Sequence, residues 1–280
     1  MYKAIKPDNA VFTSQEFQKD KYKFSLILQN LPSPELELYS DEESYVACRG
    51  SKKYPTWIWT SDNFDGSKIS EIEDLIKRYL TDNEKDKFTC KKELYDLLVK
   101  NNFAALNTDD YFEMGFLICR GTKTSKACDG VMSKATKSDR DVLVKYWYDD
   151  NVEMNGNNPI SMEQARKDVE AFLSDGKFYV LRNAENKIVC MVSYSLTGEQ
   201  AKLTHVYTPM EERKKGYAAN LIYHLTNDLL ERGFVPLLYT DYNYVPSNKA
   251  YINAGYKDEG ILINFSCSKE KKNNDLCSPH

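Results

Sequence analysis

The apolar positions of the C-terminal half switch between two periods. Ala218, Leu221, Ile222, Leu225 and Leu229 fall three or four residues apart, the spacing of a helix that packs one face on a sheet. This helix starts near Tyr217 and meets a terminating glycine at Gly233. Residues 201–208 before it and 235–240 after it read as strands, and a later helix carries Asn248 and Tyr251. Upstream, a strand over 131–135 leads to an N-cap at Ser138 or Asp139 and a helix through Leu143, Tyr146 and Trp147. Ser161 caps a second helix containing Ala165, Val169 and Phe172, followed by strands at 178–181 and 187–195 with Asn186 in a tight turn. Tyr256, after Gly255, opens a further strand.

The N-terminal half has elements of its own. Strands are expected at 24–29, 44–48, 56–60 and 112–119, and helices at 69–80 and 90–100. Trp57 and Trp59 share one face of their strand, a pattern that fits core packing better than a pocket. A polar segment over 120–130 separates the halves, so the expected division is an N-terminal α/β domain at 1–125 and a second domain at 130–270. Both halves mix strands with helices, which places the chain in the α/β class.

Chemistry concentrates between Val206 and Gly255. Arg213, Gly216 and Ala218 form R-x-x-G-x-A at the junction of a strand and a helix, where the first helical amides lack internal partners and the macrodipole is positive. Such a turn accommodates a pyrophosphate: Gly216 permits close backbone approach, and Arg213, Lys214 and Lys215 add charged donors. Read alone, the same turn is an ordinary solvated turn ahead of a surface helix.

The motifs V-Y-T-P, R-K-K-G-Y-A and S-N-K-A-Y-I-N-A-G-Y, in that order, resemble the GCN5-related N-acetyltransferase (GNAT) family, in particular a bacterial branch with an added N-terminal region. The resemblance runs from Lys202 to about Tyr256 and implies a mixed central sheet flanked by helices with acetyl-CoA as co-substrate. It implies that the turn, with Arg213, Lys214, Lys215, Gly216, Tyr217, Ala218 and Ala219, binds the pyrophosphate of coenzyme A. The preceding strand end, with His205, Val206, Tyr207 and Thr208, would then lie along the pantetheine arm, and Tyr251 would face the thioester sulfur. The N-terminal half would be either a degenerate copy of the same fold or an unrelated α/β cap.

Attack of an amine on a thioester builds charge on the carbonyl oxygen and expels a thiolate, so an oxyanion donor and a proton source both help. A backbone N–H near Val206 or Tyr207 suits the first task. Tyr251 suits the second, because a phenol of ordinary pKa, about 10, stays protonated at neutral pH. Asn248, three residues earlier on the same helix face, can bond the pantetheine arm or position Tyr251. For the base, His205 and Asp241 are the candidates, each equally open to a structural role.

Composition narrows the field further. A formal charge of −4 over 280 residues and a pI of about 5.6 argue against a nucleic-acid partner. No apolar run is long enough to span a bilayer, and no signal-like segment opens the chain, so a cytoplasmic location is expected. Seven cysteines without a C-x-x-C pair match neither a disulfide framework nor a metal site, and Cys190 reads as core. The lysines at 269, 271 and 272 read as a solvated tail. The expectation is therefore an N-acetyltransferase that passes an acetyl group from acetyl-CoA directly to a small-molecule or protein amine. The alternative is a non-catalytic acyl-CoA sensor or interaction protein. The acceptor's identity is not written in the sequence.

Overall fold

A computed structural model describes residues 2–81, 83–123, 128–156 and 159–269, with Asn155 as backbone only. Of the expected tail, the lysines at 271 and 272 lie outside the described residues.

Along the chain run β1 (Lys3–Ala4), α1 (Gln15–Asp20), α2 (Ser25–Asn30), β2 (Glu37–Ser40), β3 (Tyr45–Arg49) and β4 (Thr56–Thr60). There follow α3 (Ile69–Tyr79), β5 (Lys85–Lys91), α4 (Lys92–Lys100) and β6 (Leu106–Ile118). The second half contains β7 (Val131–Lys134), α5 (Arg140–Asn155), α6 (Met162–Ser174), β8 (Phe178–Arg182) and β9 (Ile188–Thr197). It continues with β10 (Gln200–Tyr207), α7 (Tyr217–Glu231), β11 (Val235–Asp241), α8 (Val245–Ala254) and β12 (Lys257–Ser268).

These elements form two compact units. The first comprises 1–114 together with 261–280, and the second comprises 115–260. In the first, strands β1, β2, β3 and β4 pair antiparallel in turn, β4 pairs parallel with β5 across the α3 crossover, and β12 pairs antiparallel with β5. Its core is built from Tyr45, Ile58, Leu75, Phe88, Leu94 and Phe265. In the second, β7, β8, β9 and β10 pair antiparallel in turn, and β10 pairs parallel with β11 across the α7 crossover. One face of that sheet packs Leu221, Ile222, Leu225 and Leu229 of α7; the other packs Leu143, Trp147 and Val169 of α5 and α6. Each fully buried leucine in such a core contributes roughly 1.5–3 kcal/mol.

The two units repeat one topology: antiparallel strands, a crossover helix, a parallel strand, then another helix. The N-terminal half is thus α/β with the same strand and helix order as the C-terminal half.

Two expectations fail in the first unit. The run 24–29 is not a strand: Phe24, the N-cap of α2, and Ile27 in its first turn, three apart, are both fully buried. A short apolar run fits either period, and here packing selects the helix. The expected helix at 90–100 starts only at Lys92, because Phe88 and Cys90 alternate inward as part of β5. Trp57 and Trp59 are core, as read: Phe24 packs edge-on against Trp57 and Phe17 against Trp59, whose indole N–H donates to Asp20 at 2.9 Å.

Candidate functional site

The second unit opens its sheet at one place. Thr204 lies opposite Ser193 and Tyr207 opposite Met191, so His205 and Val206 share the space facing Val192, a β-bulge. His205 takes the left-handed conformation there, with φ 52°, a cost of order 1–3 kcal/mol for a non-glycine residue. On the other edge β10 pairs with β11 only over Gln200, Ala201 and Lys202. Beyond Lys202 the two strands part, although β10 continues to Tyr207.

The turn into α7 is shaped by backbone conformation. Lys214 and Gly216 both have positive φ, 67° and 86°, and Gly216 is the N-cap with no side chain bonding the first helical amides. A Cβ at Gly216 would meet nothing within 4 Å, so it is the left-handed conformation that requires glycine, and open space lies above it. Free amides, open space and a helix N-terminus are the physical requirements of an anion site.

The basic side chains are arranged differently from the simple expectation. Both guanidinium nitrogens of Arg213 that form bonds are engaged: NH2 reaches Glu153 Oε1 and Oε2 at 2.6 and 2.7 Å, and Nε donates to the Thr208 carbonyl at 2.9 Å. Lys215 donates to buried Glu212 at 2.7 Å, as Lys187 does at 2.8 Å. Lys214 makes no ion pair among the described residues. The site's donors toward an anion are therefore the amides of Tyr217, Ala218 and Ala219, with Lys214 beside them. The Tyr217 ring is buried, and its hydroxyl, bonded to the Asp129 carboxylate and then penalised by burial, is pushed up to about 12.

Bulging splits the side chains of the strand end between the two faces. Val206 packs on the α7 side, with Tyr251 in the same cluster, while Tyr207 packs on Tyr146 of α5 with centroids 5.6 Å apart. Burial and then Glu153 push the Tyr207 hydroxyl up to about 12. His205 also faces α5: its ring stacks on Trp147 at 3.7 Å and its Nδ1 lies 2.8 Å from Asp150 Oδ2. The Thr208 hydroxyl donates to the Cys190 sulfur at 3.2 Å, and Cys190 is fully buried, as its sequence context implied, with burial pushing its thiol up to about 12.

Tyr251 sits on the inner face of α8, 8% exposed, edge-on to Tyr256 at 6.1 Å. Burial first, then the neighbouring Asp150 carboxylate and Cys190 thiol, hold its hydroxyl well above the ordinary tyrosine range. It stays protonated throughout neutral pH, with a proton available to donate. Gly255 ends the helix with φ 112°, and a Cβ there would come within 2.7 Å of the Gly121 carbonyl oxygen.

Asp241 and Asn248 do something more local. Asp241 Oδ1 accepts the Asn243 amide at 2.9 Å, and Asn248 Nδ2 donates to the carbonyls of Asp241 and Tyr242 at 3.1 and 2.8 Å. Together they tie the loop that carries the chain from β11 into α8, whose first turn is fixed by a proline. Two residues that the sequence reading passed over, Asp150 and Glu153, hold His205 and Arg213. One signal was present: Asp149, Asp150 and Glu153 fall in the C-terminal half of α5, where the macrodipole disfavours carboxylates, so their placement calls for nearby partners.

Residues 143–256 match the sequence model of the acetyltransferase (GNAT) family. Acetyl transfer from acetyl-CoA to an amine is the family's general chemistry. Among solved structures, a GCN5-related N-acetyltransferase from Sphaerobacter thermophilus is similar with a TM-score of 0.66 and 10% identity, over 97% of this chain and 96% of that one. An acetyltransferase of the GNAT family from Colwellia psychrerythraea has a TM-score of 0.59 and 13% identity, over 96% and 100%. A tandem GNAT protein from the clavulanic acid biosynthesis pathway has a TM-score of 0.56 and 8% identity, over 96% and 98%. At such identities the likeness is one of fold, and it extends along both units. No curated protein sequence matches the chain. Among the described residues no cluster of three His, Cys, Asp or Glu is placed to hold a metal, and no helix is long and apolar enough to cross a membrane.

Proposed function

We propose that the second unit is an N-acetyltransferase that transfers the acetyl group of acetyl-CoA directly to an amine. The observation that carries this reading is the coincidence of the β10 bulge, the parting of β10 from β11 and the uncapped start of α7 within one stretch of chain. Unpaired backbone on a parted strand suits a ligand whose arm carries amides, because such an arm adds to the strand edge as another strand would. The pantetheine arm has two. Its pyrophosphate then meets the amides of Tyr217, Ala218 and Ala219, with Gly216 giving the approach and Lys214 supplying charge.

In this reading the amine attacks the thioester carbonyl near Val206 and Tyr207, whose amides stabilise the oxyanion, and the electron pair of the broken C–S bond passes to sulfur. Tyr251 donates a hydrogen bond to that sulfur. Asn248 and Asp241 serve the site by fixing the loop that delivers α8. Arg213 supports the turn through Glu153 and Thr208 rather than by facing the phosphates.

Calorimetric titration with acetyl-CoA tests the reading, using wild type and Gly216→Glu. Saturable one-to-one binding is expected in the wild type, lost in a variant that still shows native circular dichroism, since the substitution puts strain and a carboxylate at the helix start. Absence of binding by the wild type overturns the reading.

A further inference from the structure

We propose that His205 is the base that deprotonates the acceptor amine, and that Asp150 is the positioning residue that fixes which ring nitrogen is free to do so. This inference rests on the acetyltransferase reading and adds to it a residue and a tautomer. Asp150 is on α5, its side chain is 10% exposed, and its Oδ2 is 2.8 Å from His205 Nδ1. A buried carboxylate accepts only, so the ring donates from Nδ1 and Nε2 is left as the acceptor. No other hydrogen bond reaches the ring among the described residues. Two further features hold the ring in this pose.

Trp147 lies one turn before Asp150 on α5, and its indole stacks on the imidazole with an interplanar angle of 27°. The bulge gives His205 its left-handed backbone, which directs the ring toward α5 and leaves Val206 on the opposite face. Strain, stacking and a carboxylate all converge on one side chain at the point where β10 parts from its neighbour. Asp150 is also one of the causes that raise Tyr251, so the donor to sulfur and the proposed base share one carboxylate neighbour. The other groups facing this space are Cys190, Thr208 and Tyr207.

Nε2 takes one proton from the acceptor ammonium, and the imidazolium is stabilised by Asp150 without transfer of the proton to it. The neutral nitrogen forms a bond to the carbonyl carbon; the C–S bond then breaks with its electron pair on sulfur. The second proton lost by the nitrogen ends on the thiol through the Tyr251 hydroxyl, which is regenerated. The proton on His205 leaves to solvent, so an ammonium and a thioester give an amide, a thiol and one proton.

The test needs no knowledge of the acceptor. Nitrogen NMR of histidine-labelled full-length protein at pH 8, with the His205 resonances assigned by His205→Gln, reads the tautomer. Carbethoxylation by diethyl pyrocarbonate reads the accessibility of Nε2. The expected result is a ring protonated at Nδ1 only, modified at Nε2, and protected at least tenfold by saturating acetyl-CoA. In Asp150→Asn the ring should switch to the Nε2–H form and lose at least tenfold in modification rate, with acetyl-CoA affinity, measured by calorimetry, within twofold of wild type. A wild-type ring protonated at Nε2, or an unchanged tautomer in Asp150→Asn, overturns the assignment while leaving the cofactor site standing. Binding of acetyl-CoA without protection of His205 does the same. Failure of the wild type to bind acetyl-CoA removes the acetyltransferase reading itself, and the base with it.

Discussion

The crossover from β4 to α3 in the first unit and that from β10 to α7 in the second follow one topology to opposite chemical ends. In the first, β3 and β4 keep register without a break from Tyr45 opposite Thr60 to Cys48 opposite Trp57. The ends of β4 and β5 are tied: Lys91 reaches Asp62 at 2.9 Å and Asp20 at 2.6 Å. The turn itself carries Asp62 and Asp65 in place of a basic run, and Asp65 caps the Ser67 amide at 2.8 Å. In the second unit the register is broken by His205, the strands part, and Arg213, Lys214 and Lys215 precede an uncapped helix. The difference teaches that the topology alone makes no anion site. One extra residue in a strand, the sign of the charge in a turn and an ion pair across the strand ends decide whether the crevice is open to an acidic ligand or stitched closed.

The helix layer differs in the same sense. In the first unit α1 and α2 bring Phe17, Phe24 and Ile27, all fully buried, against Trp57 and Trp59. In the second, α5 brings Trp147 but also Asp150 and Glu153, which reach the strand end and the turn. Hydrocarbon fills one position, and carboxylates with assigned partners fill the other.

The comparison can be broken most severely through the first unit's buried ion pair. Arg49 bonds Asp86 and Thr56 and lies 4.2 Å over the Tyr79 ring, with both charged side chains under a tenth exposed. Asp86→Ala leaves that guanidinium uncompensated, and chemical denaturation should register a loss of about 3–5 kcal/mol. Calorimetry on the folded variant should still find acetyl-CoA bound. Lys91→Ala, which cuts the tie between the strand ends, should cost about 1.5–3 kcal/mol through its charged hydrogen bonds. The titration should retain one acetyl-CoA per chain; a second site appearing in this variant would show that the ion pair alone separates the two units. The smallest effect sharpens the second unit: Tyr251→Phe should lower amine-dependent release of coenzyme A more than tenfold, about 1.4 kcal/mol, with acetyl-CoA affinity unchanged. Equal turnover would remove the tyrosine from the mechanism.

Much of the second unit was legible because its signals are local. The apolar faces of α7, the Ser161 cap and the turn glycine each depend on neighbours within a few residues, and all three lie where the periodicity puts them. The bulge was not legible, since it exists only as a register between β9 and β10 and nothing in T-H-V-Y marks His205 for the left-handed region. The pairing of Asp150 with His205 spans 55 residues and depends on α5 packing over β10. In the first unit β5 escaped notice because K-D-K-F-T-C-K offers only Phe88 and Cys90 as apolar positions, and β2 is four residues long. The resemblance supplied what local pattern lacked for the turn and for Tyr251, but it said nothing of Asp150 or Glu153.

The strand β12 has a consequence for how the chain is made. Its later residues pair with β5, and the Asn264 amide donates to Thr89 across 175 positions of sequence. During synthesis β1–β5 emerge well before β12, so their sheet lacks this neighbour until residues 262–268 have left the ribosome. Until then β5 presents an unfilled edge with Phe88 and Cys90 inward, a template for pairing with the wrong partner. Completion of the first unit therefore waits on β12, and a chain interrupted before residue 261 leaves the β5 edge open.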